Sequence, residues 1–209
     1  MKPALSSGGF WNEELLPIFD PKNGTIIDIS ERTRAHEKWL CHGHVNVWIP
    51  GKNPGRVFVQ TKIKSHGKHD ATIWGHIDTT KESFWELMGR NIAELGPKTA
   101  IKEWWEETGL LFTENDIIPL WNFTEVHTKP YPESNRWNNG ITIAYVLNRR
   151  IVIDDILRNT NRESGLDFKE VSIETLLGLS EKDTKYLRKL AWENYKQIFH
   201  TLREKMKQI

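Results

Sequence analysis

KEWWEETGL, residues 102–110, is the stretch that decides the fold. At about 100° per residue, with Ile101 set at zero, Trp104 and Trp105 fall near roughly −60° and +40°, while Glu103, Glu106 and Glu107 cluster near about 190°. The spacing predicts a helix with one apolar and one carboxylate face. Glu103 and Glu107 stand at i,i+4, where like charges cost an isolated helix about 0.2 to 0.5 kcal/mol. A bound cation reverses that sign, and hard divalent ions such as magnesium take carboxylate oxygens, keep several waters and bridge to phosphates. Thr108 and Gly109 supply the stop, since glycine adopts the left-handed cap conformation. Upstream, Gly96 and Pro97 are expected to break the chain, with Pro97 at a first helical position.

The same string resembles the second half of the Nudix box, G-x(5)-E-x(7)-R-E-U-x-E-E-x-G-U with U apolar, and matches all but the arginine. The resemblance implies that Glu103, Glu106 and Glu107 hold metal, with Glu103 also a base. Lys102 stands where the family has an arginine that orients the glutamates; lysine supplies the charge without the planar fork. Eight residues before Lys102 lies Glu94, at the position of the box's first glutamate. The front half departs from the pattern. Met88, with Gly89 beside it, occupies the place of the expected glycine, whereas Gly75 in WGHID resembles the glycine-histidine start of the box in one branch. That alignment implies an insertion over residues 79–91 and makes Glu82 a rival for the first-glutamate role.

HEKWLCHGHVNVWI, residues 36–49, resembles the H-x(5)-H segment and V-x-V-W-I strand of Nudix proteins related to isopentenyl-diphosphate isomerase. His36, His42 and His76 then take histidine positions that the isomerases use, with glutamates, to hold a metal. Two departures disfavour isomerase chemistry. Trp74 stands where those enzymes place a cysteine, Cys41 lying far upstream, and RWNNGITIAY lacks their second glutamate. Isomerization needs an acid and a base on opposite faces of the carbon skeleton; hydrolysis needs only an activated water.

The expected activity is therefore a Nudix diphosphate hydrolase (pyrophosphohydrolase) acting on a nucleoside diphosphate-X or related organic diphosphate. The resemblance implies magnesium, with manganese as an alternative, held by Glu103, Glu106, Glu107 and the Gly75 carbonyl, neutralising the diphosphate and acidifying a water that attacks phosphorus. Glu103, Glu125, Glu133 and Glu163 are the alternatives for the base. Lys62, Lys64 and Lys68 are candidates for phosphate contacts. Phe84, Trp85, Tyr131 and Trp137 are candidates for stacking on a planar group. The rival class is a Nudix-fold protein that binds its ligand and turns it over poorly.

Composition agrees with an ordinary globular chain. It has 209 residues, 38% hydrophobic and 27% charged, long enough for one core, and a single domain is expected. Lys plus Arg (29) nearly balance Asp plus Glu (28), so no global field draws nucleic acid or an anionic membrane, and the expected partner is a small-molecule diphosphate. One cysteine excludes an intrachain disulfide and a multi-cysteine zinc site, and fits a reducing compartment. With no signal-like or membrane-length apolar run, a cytoplasmic location is expected.

Along the chain, residues 1–12 form a loose start. LLPIFD and TIIDIS flank the Asn23-Gly24 hairpin signal, and HVNVWIP (44–50) and RVFVQT (56–61) flank the turn GKNPG as paired strands. ATIW runs into GHID, a helix is expected over 81–91, and strands over 118–125 and 141–147 bracket a long loop that could serve as a lid. A connector follows, then a short helix at 173–179 and a long one at 181–207. In the latter Leu187, Ala191, Tyr195, Ile198 and Leu202 form a stripe for the core or for a second copy in a homodimer. The implied architecture is α/β: a Nudix-type α/β/α sandwich with a mixed central sheet and a long C-terminal helix.

Overall fold

The computed structural model describes residues 14–62, 69–79, 83–126, 139–152, 154, 156, 166–179 and 192–209. The start at 1–12, Lys64, Lys68, Glu82, the loop at 127–138 with Tyr131, Glu133 and Trp137, Glu163, and Leu187 and Ala191 of the terminal stripe lie outside them.

The fold is an α/β/α sandwich around a mixed sheet. β1 (Leu15–Phe19) and β2 (Ile26–Glu31) form the expected hairpin. The short helix α1 (Arg32–Glu37) leads into β3 (His42–Pro50), which is buried along its whole length. β3 runs antiparallel to β6 (Ile73–His76) on one side and parallel to β8 (Asn139–Leu147) on the other. β7 (Ile117–Val126) extends the sheet beyond β8. The pairing of β3 with β4 (Arg56–Lys62) is confined to Ile49↔Phe58 and Pro50↔Val57. Past that point β4 diverges to pair with β5 (His69–Asp70) and β9 (Leu166–Ser172). Residues 166–172, expected as connector, are thus a full strand. Its exposed Asp167 and Lys169 dilute the apolar signal of Phe168.

Period-2 alternation sorts each central strand between two cores. Val45, Val47, Ile49, Phe58, Ile143, Tyr145 and Leu147 face α3 (Ile92–Thr108), against its Leu95, Ala100 and Trp104. Trp48, Val57, Val59, Ala144 and Val146 face α4 (Ile173–Leu177) and α5 (Trp192–Met206). Phe199 of α5 sets its ring edge on Trp48, centroids 5.3 Å apart. Tyr195, Ile198 and Leu202, the described part of the terminal stripe, are buried in this second core.

Three local expectations change. Pro97 lies inside α3 rather than at its start. The helix begins at Ile92, where the Asn91 side chain accepts from Ala93 N–H at 3.0 Å and Glu94 returns a bond to Asn91 N–H. This cap, and packing of the first turns through Ile92 and Leu95, outweigh the one backbone bond that Pro97 removes. The preceding Gly96 lets α3 approach β8: a side chain there would run into the Tyr145 hydroxyl.

The helix expected over 81–91 contracts to one turn, α2 (Phe84–Leu87), because Gly89 takes a positive φ of 79°. The segment then docks on β2, with Ile26 N–H donating to the Arg90 carbonyl and Gly89 N–H to that of Ile26.

The third change concerns the orientation of α3. Trp104 is 2% exposed but Trp105 is 55% exposed, and Ile101 is only half-buried. The buried stripe runs through Leu95, Gly96, Thr99, Ala100, Trp104 and Thr108, and Glu103 and Glu107 sit within it. Two of the three carboxylates therefore face the protein.

Candidate functional site

α3 crosses β6 so that Glu103 lies across Gly75. A side chain at position 75 would collide with Cγ, Cδ and Oε2 of Glu103, so the glycine is what admits the carboxylate to the sheet surface. Burial pushes Glu103 up to about 8; the Lys102 charge pulls it down, and Glu106, Glu107 and Glu14 push it further up. Glu14, which precedes β1, was not anticipated; its carboxylate is held 2.8 Å from the Arg32 guanidinium.

Glu106 is exposed and stands 3.8 Å from Lys102 Nζ. Lys102 also donates to Asp78, just past β6, tying the loop that follows Gly75 to the helix. Burial lowers the Lys102 pKa, but the bond to Asp78 and the charges of Asp78, Glu106 and Glu103 outweigh it and hold the pKa raised. Glu107 Oε2 accepts from Gln60 Nε2, on β4, at 2.7 Å.

Besides Glu14, sequence reasoning missed Asp78 and Gln60. Gln60 carried a usable signal, since in RVFVQT it shares the inward face of Phe58. Asp78 had none beyond its place in WGHID.

Among the other candidates, Glu94 is engaged in the cap of α3 and pairs with Arg90 at 3.4 Å, two and a half turns before Glu103. Lys62 closes β4. Phe84 and Trp85 are 40% and 84% exposed.

The donors of the helix site are all oxygens, the type that hard divalent cations take. The charge of three glutamates around one buried carboxylate raises its proton affinity, and a cation would compensate the same charge.

A second cluster lies on the opposite face of the sheet. His42 and His44 share the Trp48 face of β3, and His76 on β6 is directly opposite His44. Ring nitrogens of His36, His42 and His76 lie within 4.8 Å of one another, all three side chains buried. Leu40 carbonyl meets His42 Nδ1 at 2.9 Å, which leaves Nε2 as the lone-pair nitrogen. His44 stacks on Trp74 at 5.1 Å. Burial, with the charges of His42, His76, His36 and Arg32, holds His44 well below the ordinary histidine range. Imidazole nitrogens suit a transition metal better than magnesium. Adjacent β6 residues, Gly75 and His76, thus serve opposite faces of the sheet, Glu103 on one and the imidazoles on the other.

No family model matches the sequence, and no curated protein matches it. Several solved structures are similar. The E. coli dihydroneopterin triphosphate pyrophosphohydrolase is 14% identical with a TM-score of 0.44, over 76% of this chain and 92% of that one. A C. elegans Ap4A hydrolase binary complex is 9% identical with a TM-score of 0.42, over 80% and 98%. Shewanella oneidensis NrtR complexed with a 27mer DNA is 13% identical with a TM-score of 0.39; the match covers 79% of this chain and 62% of NrtR, so the chain spans less than two thirds of that protein. Among the described residues no helix is long and apolar enough to cross a membrane.

Proposed function

We propose that the chain is a Nudix-type hydrolase that cleaves a diphosphate linkage in a nucleoside diphosphate-X or related small organic diphosphate, with magnesium at Glu103, Glu106 and Glu107. The observation that carries this reading is Glu103 laid across Gly75, its proton affinity raised to about 8 by burial and by the carboxylates beside it. A solvated helix face has no reason to place a glutamate over a glycine of the central sheet. The string KEWWEETGL supports the same assignment.

When bound, magnesium neutralises diphosphate charge and acidifies the attacking water. The chain's own residues do the rest. Glu106 and Glu107 supply oxygens for the cation. Glu103 is proposed as the base that takes the proton from the attacking water. Lys102 holds the loop after β6 through Asp78. Lys62 and Lys64 are proposed as contacts to the substrate's phosphates. The near balance of 29 basic and 28 acidic residues favours a small anionic substrate over nucleic acid.

A second reading, a ligand-binding protein with weak turnover, is favoured by Lys102 in place of the arginine and by the engagement of Glu94 in the helix cap. Phosphate release from a panel of nucleoside diphosphate compounds with magnesium, compared between wild type and Glu106→Gln, separates the two. Hydrolysis predicts release by wild type and a loss of at least about a hundredfold in the variant, since even outer-shell changes at metal sites cost 10- to 100-fold. Equal release by both proteins would sink the catalytic assignment, and ligand binding with no release supports the second reading.

A further inference from the structure

Gln60 is fully buried, at 0% exposure, on the face of β4 that carries Phe58. Packing alone does not account for it, because a leucine or methionine would fill the same space with no polar atoms to satisfy. Its Nε2 donates to Glu107 Oε2 at 2.7 Å, while its Oε1 meets no hydrogen-bond partner among the described residues. Buried amides that leave one end unsatisfied are uncommon and need a reason. Here the satisfied end grips a carboxylate of the proposed cation site.

We infer that Gln60 is a positioning residue for that site: its bond to Oε2 sets the orientation in which the Glu107 carboxylate meets the cation. This rests on the proposed carboxylate site. A glutamate on a helix surface turns about three side-chain torsions, and a donor anchored in the sheet removes most of that freedom before a cation arrives. The donor's neutrality matters equally. Lysine or arginine at position 60 would bring a positive charge that competes with the cation; an amide orients the carboxylate without adding one. Lys102 shows the contrast, since it spends its charge on Asp78 and Glu106.

Uptake of Mn2+ by the full chain, followed from the paramagnetic resonance of free Mn2+, tests the inference. Gln60→Met keeps the volume and loses the donor. Gln60→Asn keeps the buried polarity and falls one methylene short of Glu107, and it serves if the first variant does not fold. Each is expected to bind Mn2+ about tenfold more weakly, with the far-ultraviolet circular dichroism of wild type. In a Glu107→Gln background, Gln60→Met is expected to add no further loss, which a merely structural role would not produce. Wild-type affinity in either folded variant, or losses that multiply in the double variant, would overturn the inference. Absence of Mn2+ uptake by wild type would sink the cation site itself, and the inference with it.

Discussion

Glu103 lies across the backbone of Gly75, one residue from α3 and one from β6, with no room for a side chain between them. Gly75 lies in a regular ladder opposite Val45 and has no positive φ, so alanine there suits the strand backbone, and the nearest atoms that its Cβ would meet are those of the Glu103 side chain. Gly75→Ala is expected to fold, with a circular dichroism spectrum like that of wild type, and to bind Mn2+ at least about tenfold more weakly, as for other displaced metal-site groups. Calorimetric titration checks this, and unchanged affinity would contradict the site.

The Glu103 proton predicts a pH dependence with a definite sign. Its carboxyl titrates at about 8 in the folded chain against an ordinary 4.5, so the native state holds a proton that the unfolded state has released. The associated stability is fully present below about pH 4.5 and is lost as pH rises through about 8. Without divalent cations, the melting temperature of wild type is expected to fall more steeply than that of Glu103→Gln between those limits. Magnesium must displace the same proton: binding at pH 7 should release about one proton, and at pH 9.5 almost none. Titration calorimetry in buffers of differing ionisation enthalpy counts it, and zero release at pH 7 would refute the assignment.

Lys102 joins Asp78 to the helix. Lys102→Met frees the loop after β6 and is expected to lower kcat/KM about tenfold, as outer-shell substitutions do, whereas Lys102→Arg retains most of it. Asp78→Asn should reproduce the loss. The double variant should be no worse than Lys102→Met alone, because Asp78→Asn removes an interaction that Lys102→Met has already removed. Steady-state kinetics on whichever diphosphate the panel identifies decides this.

The rotation of α3 is open to a stability measurement. Trp104→Ala empties a site 2% exposed and packed edge-on against Phe112 at 4.5 Å, for an expected loss of about 3–5 kcal/mol. Trp105→Ala alters a side chain 55% exposed and is expected to stay within about 0.5 kcal/mol. Urea denaturation compares the two; similar losses would mean that the helix presents its other face.

Much of the fold was legible wherever short-range chemistry decides it. The β1–β2 hairpin, the strands β3, β7 and β8, the short helix α4 and the Gly109 stop of α3, at φ 69°, all follow from turn residues, alternation and cap preference. Less legible were elements whose reason lies elsewhere in the chain. Pro97 reads as a start until the Asn91 cap is placed against the β1–β2 turn, where Asn91 Nδ2 donates to the Asn23 carbonyl at 2.8 Å. β9 reads as connector until β4 leaves β3 and needs a neighbour. The wheel put Trp105 inside because it ranks residues by hydrophobicity, and a site glutamate is a polar residue on a buried face.

By itself, then, the sequence determined that a capped helix carries Glu103, Glu106 and Glu107 at i, i+3 and i+4, and that strands with the periodicity of a buried sheet surround it. These are properties of neighbours along the chain, encoded in backbone preference and period. Only the tertiary structure decided that Glu103 faces Gly75, that Gln60 grips Glu107, that Lys102 reaches Asp78, and that the histidines gather on the other side of the sheet. The pairings of Glu103, Glu107 and Lys102 join residues 24 to 47 positions apart, and they depend on the rotation of α3 and the pleat of β6, which the packing of the whole core sets.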